Sequence, residues 1–133
     1  MAQGINQGVK QGLSAASLAY LGDAVFELWA REMLMAEGLP VNKANRRAKD
    51  IVSAIAQADM YHRIYPNLTP DEQTIMRRGR NLHPLTRAKN ADTASYRHAT
   101  GLEALFGYLY HNREMARLEE IFKLCTNPVN KNE

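Results

Sequence analysis

Apolar residues recur at helical spacing through most of this chain, and no segment alternates with period two. Ser14 can cap a first helix reaching about Glu37, with Gly38 as its stop. Leu18, Leu21, Val25 and Leu28 fall on one face of that helix. A second helix is predicted from about Asn42 to Tyr65, ahead of Pro66, carrying Ile51, Val52, Ile55 and Ala58. Thr69-Pro70-Asp71-Glu72 has the form of a capping box with proline at the first helical position. It opens a short third helix ending near Gly79. Residues 80–92 read as a loop whose length and charge suit a functional role. Asp92 can cap a fourth long helix to about His111, and a last helix, from about Glu114 to Leu124, carries Leu118, Ile121 and Phe122. The expectation is one all-α domain over residues 1–133, with a polar arm at 1–12 and a flexible tail at 126–133.

Two carboxylates stand alone within two of the most apolar helical stretches. Asp23 follows Ala19-Tyr20-Leu21-Gly22, and Glu103 sits in Gly101-Leu102-Glu103-Ala104-Leu105-Phe106-Gly107. A helix that is apolar nearly all round is normally buried, and an ionised carboxylate in a dry interior needs a counter-charge or a metal. Gly22 and Gly107 are helix-interior glycines, each costing about 1 kcal/mol relative to alanine, which suggests close approach of two backbones. A crossing of the first and fourth helices at these glycines would bring Asp23 and Glu103 together. Two neighbouring carboxylates raise each other's pKa unless a cation intervenes. Oxygen-only ligation suits a hard ion such as Mg²⁺, with Mn²⁺ as a substitute. The alternative is that each acid is a satisfied core residue, paired with an arginine or capping a helix. Glu27, one turn after Asp23, can join the pair or bond Arg31 at i+4.

Composition bounds the rest. A chain of 133 residues with 45% hydrophobic residues can bury a core without staples. The single cysteine, Cys125, excludes an internal disulfide and argues against a zinc site. No signal peptide or membrane span is expected, which points to the cytoplasm. The net charge of +3 is unevenly placed: residues 43–98 hold eleven lysines and arginines against five acids. A basic middle between near-neutral ends suits a polyanion, and equally a solvated basic face.

The carboxylate segments resemble the ribonuclease III catalytic domain. Its signature helix, roughly ERLEFLGDAVLEL, is followed from its leucine onward by Leu18-Ala19-Tyr20-Leu21-Gly22-Asp23-Ala24-Val25-Phe26-Glu27-Leu28. Its second motif, D-x-F-E-A-L-I-G-A-L-Y, is similar to Thr100-Gly101-Leu102-Glu103-Ala104-Leu105-Phe106-Gly107-Tyr108-Leu109-Tyr110. The stretch Arg46-Arg47-Ala48-Lys49-Asp50-Ile51-Val52-Ser53 resembles the family segment ending in L-V-S. Three family acids are absent, with Ala16, Ala19 and Thr100 in their places. That departure, Arg77-Arg78-Gly79-Arg80-Asn81, Lys89-Asn90 and the expected lack of a double-stranded RNA-binding domain resemble the Mini-ribonuclease III branch.

The resemblance implies a homodimeric, Mg²⁺-dependent endoribonuclease that cuts double-stranded RNA, leaving 5′-phosphate and 3′-hydroxyl ends, and matures the 23S ribosomal RNA precursor. It gives Asp23 and Glu103 catalytic and metal-ligand roles, puts a full two-metal site in doubt, and makes Tyr20 the aromatic that plugs a socket on the partner subunit. Duplex RNA is read through its shape, phosphates and 2′-hydroxyls. Arg77, Arg78, Arg80, Asn81, Arg87, Lys89 and Asn90 are the candidate RNA contacts, and His62, His98 and His111 read as structural or surface residues. A catalytically silent RNA-binding or ribosome-assembly protein of the same fold is the alternative, motivated by the three missing acids. A helical nucleotide phosphohydrolase is a third class, against which the lack of a His-Asp dipeptide argues.

Overall fold

The computed structural model describes residues 12–82 and 93–127. They form six α-helices: α1 (Ala15–Ala36), α2 (Val41–Val52), α3 (Ala54–Ile64), α4 (Pro70–Arg80), α5 (Thr93–His111) and α6 (Met115–Thr126). A 3₁₀ turn, Tyr65–Asn67, joins α3 to α4. No strand occurs among the described residues. The Ser14 hydroxyl caps α1 by accepting from Ser17 N at 3.0 Å. Both halves of the Thr69–Glu72 capping box are formed. Asp92 and the 126–133 tail beyond Asn127 lie outside the described residues, as does the arm up to Gln11.

The second predicted helix is two helices. Ser53 leaves helical geometry (φ −64°, ψ 157°), and its hydroxyl accepts from Ala56 N at 3.1 Å, so that it caps α3. The break resets the helical phase. Ile51 and Ala58 stay buried, but Ile55 turns outward and is 71% exposed.

Helix α5 is the axis of the fold, with Leu102, Ala104, Leu105, Phe106 and Leu109 wholly buried. Around it Phe26, Phe106 and Phe122 make edge-to-face contacts at centroid separations of 4.9, 5.6 and 6.2 Å. Such pairs add about 0.5–1.5 kcal/mol each beyond area burial. Leu18 and Val25 face inward as the periodicity predicts, whereas Leu28 is 56% exposed. Helix α6 is fastened to the start of α4 by Arg117, which grips both Glu72 carboxylate oxygens at 2.7 and 2.8 Å. That pair holds the Glu72 carboxyl below its usual range.

Candidate active site

Helices α1 and α5 cross backbone to backbone. A Cβ added at Gly22 would lie 1.6 Å from the Glu103 carbonyl oxygen, and one at Gly107 would lie 1.9 Å from that of Leu18. Only glycine permits this approach, which accounts for two residues that weaken a helix interior. Asp23 follows Gly22 directly on α1, and Glu103 lies one turn before Gly107 on α5. The crossing therefore sets the two acids side by side.

Their carboxyl groups are hydrogen-bonded to each other. Two carboxylates cannot share such a bond without a proton, because the ionised form only accepts. The raised pKa of Glu103 assigns the proton to that acid. Burial, then the negative charge and hydrogen bond of Asp23, push its pKa up from 4.5 to about 8, with a further contribution from Glu27. The side-chain amide of Gln57 on α3 opposes this shift. No arginine or lysine forms an ion pair with Asp23 or Glu103 among the described residues.

One expectation needs correction. Asp23 is exposed and Glu103 is half-buried, so the pair is not enclosed in a dry core. The apolar run around Asp23 does not enclose it, because part of that run faces outward. Tyr20 is 86% exposed, and Leu28 is exposed with it. Ordinary core packing of Tyr20 within the chain is thereby ruled out. Glu27 bonds Arg31 at 2.7 Å and sends only its charge toward Glu103.

The positions of the missing family acids are filled by other contacts. Ala19 packs with Leu18 and Ala104, and Ala16 is exposed. The Thr100 hydroxyl bonds back to the Tyr96 carbonyl at 3.0 Å. No group of three or more His, Cys, Asp or Glu able to hold a metal occurs among the described residues. Among the described residues the donor set is thus two neighbouring carboxyls without an ion-paired counter-cation. It fits Mg²⁺, which typically takes one or two carboxylates and completes its shell with waters and substrate phosphates.

The candidate RNA contacts divide. Arg77 bonds the Tyr65 hydroxyl and, at 3.2 Å, the Thr74 hydroxyl. Arg80 bonds Asn81 at 3.1 Å and the Tyr61 hydroxyl at 3.5 Å. These partners are neutral, so both guanidinium groups are positioned but keep their full charge. Arg78 is exposed, without a hydrogen bond or ion pair among the described residues. Arg87, Lys89 and Asn90 lie outside the described residues. His98 packs against His62 at a tilt and against Tyr61 edge-to-face, with ring centroids 4.5 and 4.7 Å away.

Gln57 is the residue that sequence reasoning missed. It is 3% exposed and shares the buried polar class with Glu72 alone among the described residues. Its signal was hidden by the Ser53 break, since a continuous helix assigns the inward face differently.

Comparison with known proteins places this geometry. A family model for the ribonuclease III domain matches residues 16–114. The Mini-ribonuclease 3 of Symbiobacterium thermophilum is 42% identical over 120 residues, covering 90% of this chain and 92% of that protein. The Mini-ribonuclease 3 of Enterococcus faecalis is 41% identical, covering 88% and 91%. A crystal structure of a Fusobacterium nucleatum protein superposes with a TM-score of 0.78 at 28% identity, covering 85% of this chain and 87% of that one. The chain belongs to the ribonuclease III family, in its Mini-ribonuclease 3 branch.

Proposed function

We propose that this protein is a divalent-metal-dependent endoribonuclease that cuts double-stranded RNA, with Asp23 and Glu103 as the metal-holding pair. The observation that carries this reading is the pairing of two carboxyls at a glycine-lined helix crossing, with no arginine or lysine ion-paired to either among the described residues. A site built only for stability would supply an arginine, as Glu72 receives from Arg117. When bound, Mg²⁺ would activate a water for attack on the phosphodiester and neutralise charge on the leaving oxygen, giving 5′-phosphate and 3′-hydroxyl ends. The chain's own contribution is to hold Asp23 and Glu103 together at a rigid helix crossing and to release the shared proton. Arg77, Arg78, Arg80 and Asn81 supply backbone contacts that fit an A-form duplex, whose phosphates are read without sequence.

The exposed stripe Tyr20, Ala24 and Leu28 on α1 supports a homodimer through this face. Two-fold symmetry would then present one Asp23–Glu103 pair to each strand of a duplex. The precursor of 23S ribosomal RNA is the proposed substrate and the cytoplasm the proposed location. No described helix is long and apolar enough to cross a membrane.

The test is incubation of the protein with a long RNA duplex, with and without Mg²⁺. Cleavage is expected only with the metal, and Asp23→Asn should abolish it while leaving fold and oligomeric state intact. Full activity of Asp23→Asn would remove this pair from the mechanism. The second reading, a silent RNA-binding or ribosome-assembly protein, is favoured by Ala16, Ala19 and Thr100 standing where the family has acids. It would be supported by RNA that is shifted on a gel but uncut with every divalent ion.

A further inference from the structure

We propose that Gln57 is a positioning residue of the metal site, whose side-chain amide holds the Glu103 carboxylate beside Asp23 and ready for a cation. The inference rests on the metal-dependent reading above.

Local structure puts Gln57 there. Ser53 ends α2 and caps α3, and Gln57 N bonds Ser53 O at 2.9 Å one turn into the new helix. That phase turns Ile55 to solvent and Gln57 inward. One turn further on, Tyr61 packs against Gly101 of α5, where an added Cβ would come within 2.8 Å of its ring. The contact at Gly101 brings α3 close to α5 and Gln57 to Glu103.

A buried amide is costly unless it is hydrogen-bonded, and an apolar residue would fill the position without that requirement. The other buried polar side chain, Glu72, is accounted for by its cap and by Arg117. Gln57 is 3% exposed, and the acid its amide acts on is Glu103. The amide has a property that a basic residue lacks. Arginine or lysine at this position would hold Glu103 equally well but would neutralise the pair and repel a divalent ion. A neutral donor orients the carboxylate and leaves its charge for the metal. Partners of this kind typically change metal affinity or activity by about 10- to 100-fold when removed.

The experiment replaces Gln57 by methionine, which has similar length and volume and no donor. Mn²⁺ binding to the RNA-free protein is measured by electron paramagnetic resonance, alongside kcat and KM on a duplex over a Mg²⁺ series. The Mn²⁺ dissociation constant is expected to rise by about 10- to 100-fold, and the Mg²⁺ needed for half-maximal cleavage to rise with it. The KM for RNA and the melting temperature should stay near those of the parent. Gln57→Leu should behave alike, and is used if the methionine variant does not fold. Unchanged Mn²⁺ affinity, or loss of thermal stability without loss of affinity, would overturn the proposal. Failure of both variants to fold would overturn it too, because Gln57 would then serve the fold. A parent protein that binds no Mn²⁺ and cuts no RNA defeats the nuclease reading itself. A parent that does both, with variants that match it, defeats this inference alone.

Discussion

Removing the ionisable group from the helix crossing should change how stability depends on pH. In the metal-free protein the Glu103 pKa is raised from 4.5 to about 8, chiefly by burial and by Asp23. The folded chain therefore binds this proton more tightly than the unfolded chain. The contribution is complete below about pH 4.5, declines as pH rises through the window, and is gone above about pH 8. At about 1.4 kcal/mol per pH unit, the ionisation removes at most about 5 kcal/mol across that range. Glu103→Gln keeps the shape and cannot ionise. Urea unfolding in EDTA, at fixed protein concentration from pH 5 to 9, provides the measurement. The variant should match the parent at the acid end and exceed it by several kcal/mol at pH 9. Because both proteins carry the same histidines and Cys125, those titrations cancel in the difference. Mg²⁺ should restore the parent at pH 8–9, by replacing the lost proton between the acids, and leave the variant nearly unmoved. Parallel profiles for the two proteins from pH 5 to 9 would refute the electrostatic account of the pair.

Gly107→Ala would stabilise an isolated helix by about 1 kcal/mol, but a methyl 1.9 Å from the Leu18 carbonyl must part the two helices. Chemical denaturation should show a net loss of about 3 kcal/mol or more, and a gain would contradict the crossing. Arg117→Ala leaves Glu72, 7% exposed at its side chain, without its partner, and should cost about 3–5 kcal/mol at neutral pH. Since Arg117 holds the Glu72 pKa down, the stability it supplies is present above pH 4.5 and fades as pH falls. The gap between parent and variant should therefore narrow in acid. Tyr20→Ala removes an outward side chain, so the helical signal should persist while sedimentation shows self-association weakened by about 30-fold, the value of a 2 kcal/mol hot spot. Unchanged association would exclude this residue from the contact.

Much of the architecture was legible because local chemistry announces it. Ser14 and Thr69 mark helix starts through hydroxyls that satisfy free backbone amides, Pro70 through the amide proton it lacks, and both caps form as read. The acid pair was legible for a different reason: isolated charges and helix glycines are both unfavourable unless something compensates. What stayed hidden is tertiary. Ser53 looks like an ordinary residue within an apolar period, yet its hydroxyl takes a backbone bond and divides the helix. That single change of phase exposes Ile55 and buries Gln57. The outward turn of Leu28 was equally silent, since periodicity shows that a face is apolar and not what it packs against, whereas an outward Tyr20 was expected only from the family resemblance.

The most direct test is a crystal of the protein soaked in Mn²⁺, with the anomalous signal of the ion mapped. The account expects a peak within ligand distance of both the Asp23 and Glu103 carboxylates, near the crossing of α1 and α5. A peak elsewhere, or none beside a pair still joined by its proton at pH 8 or above, would contradict it.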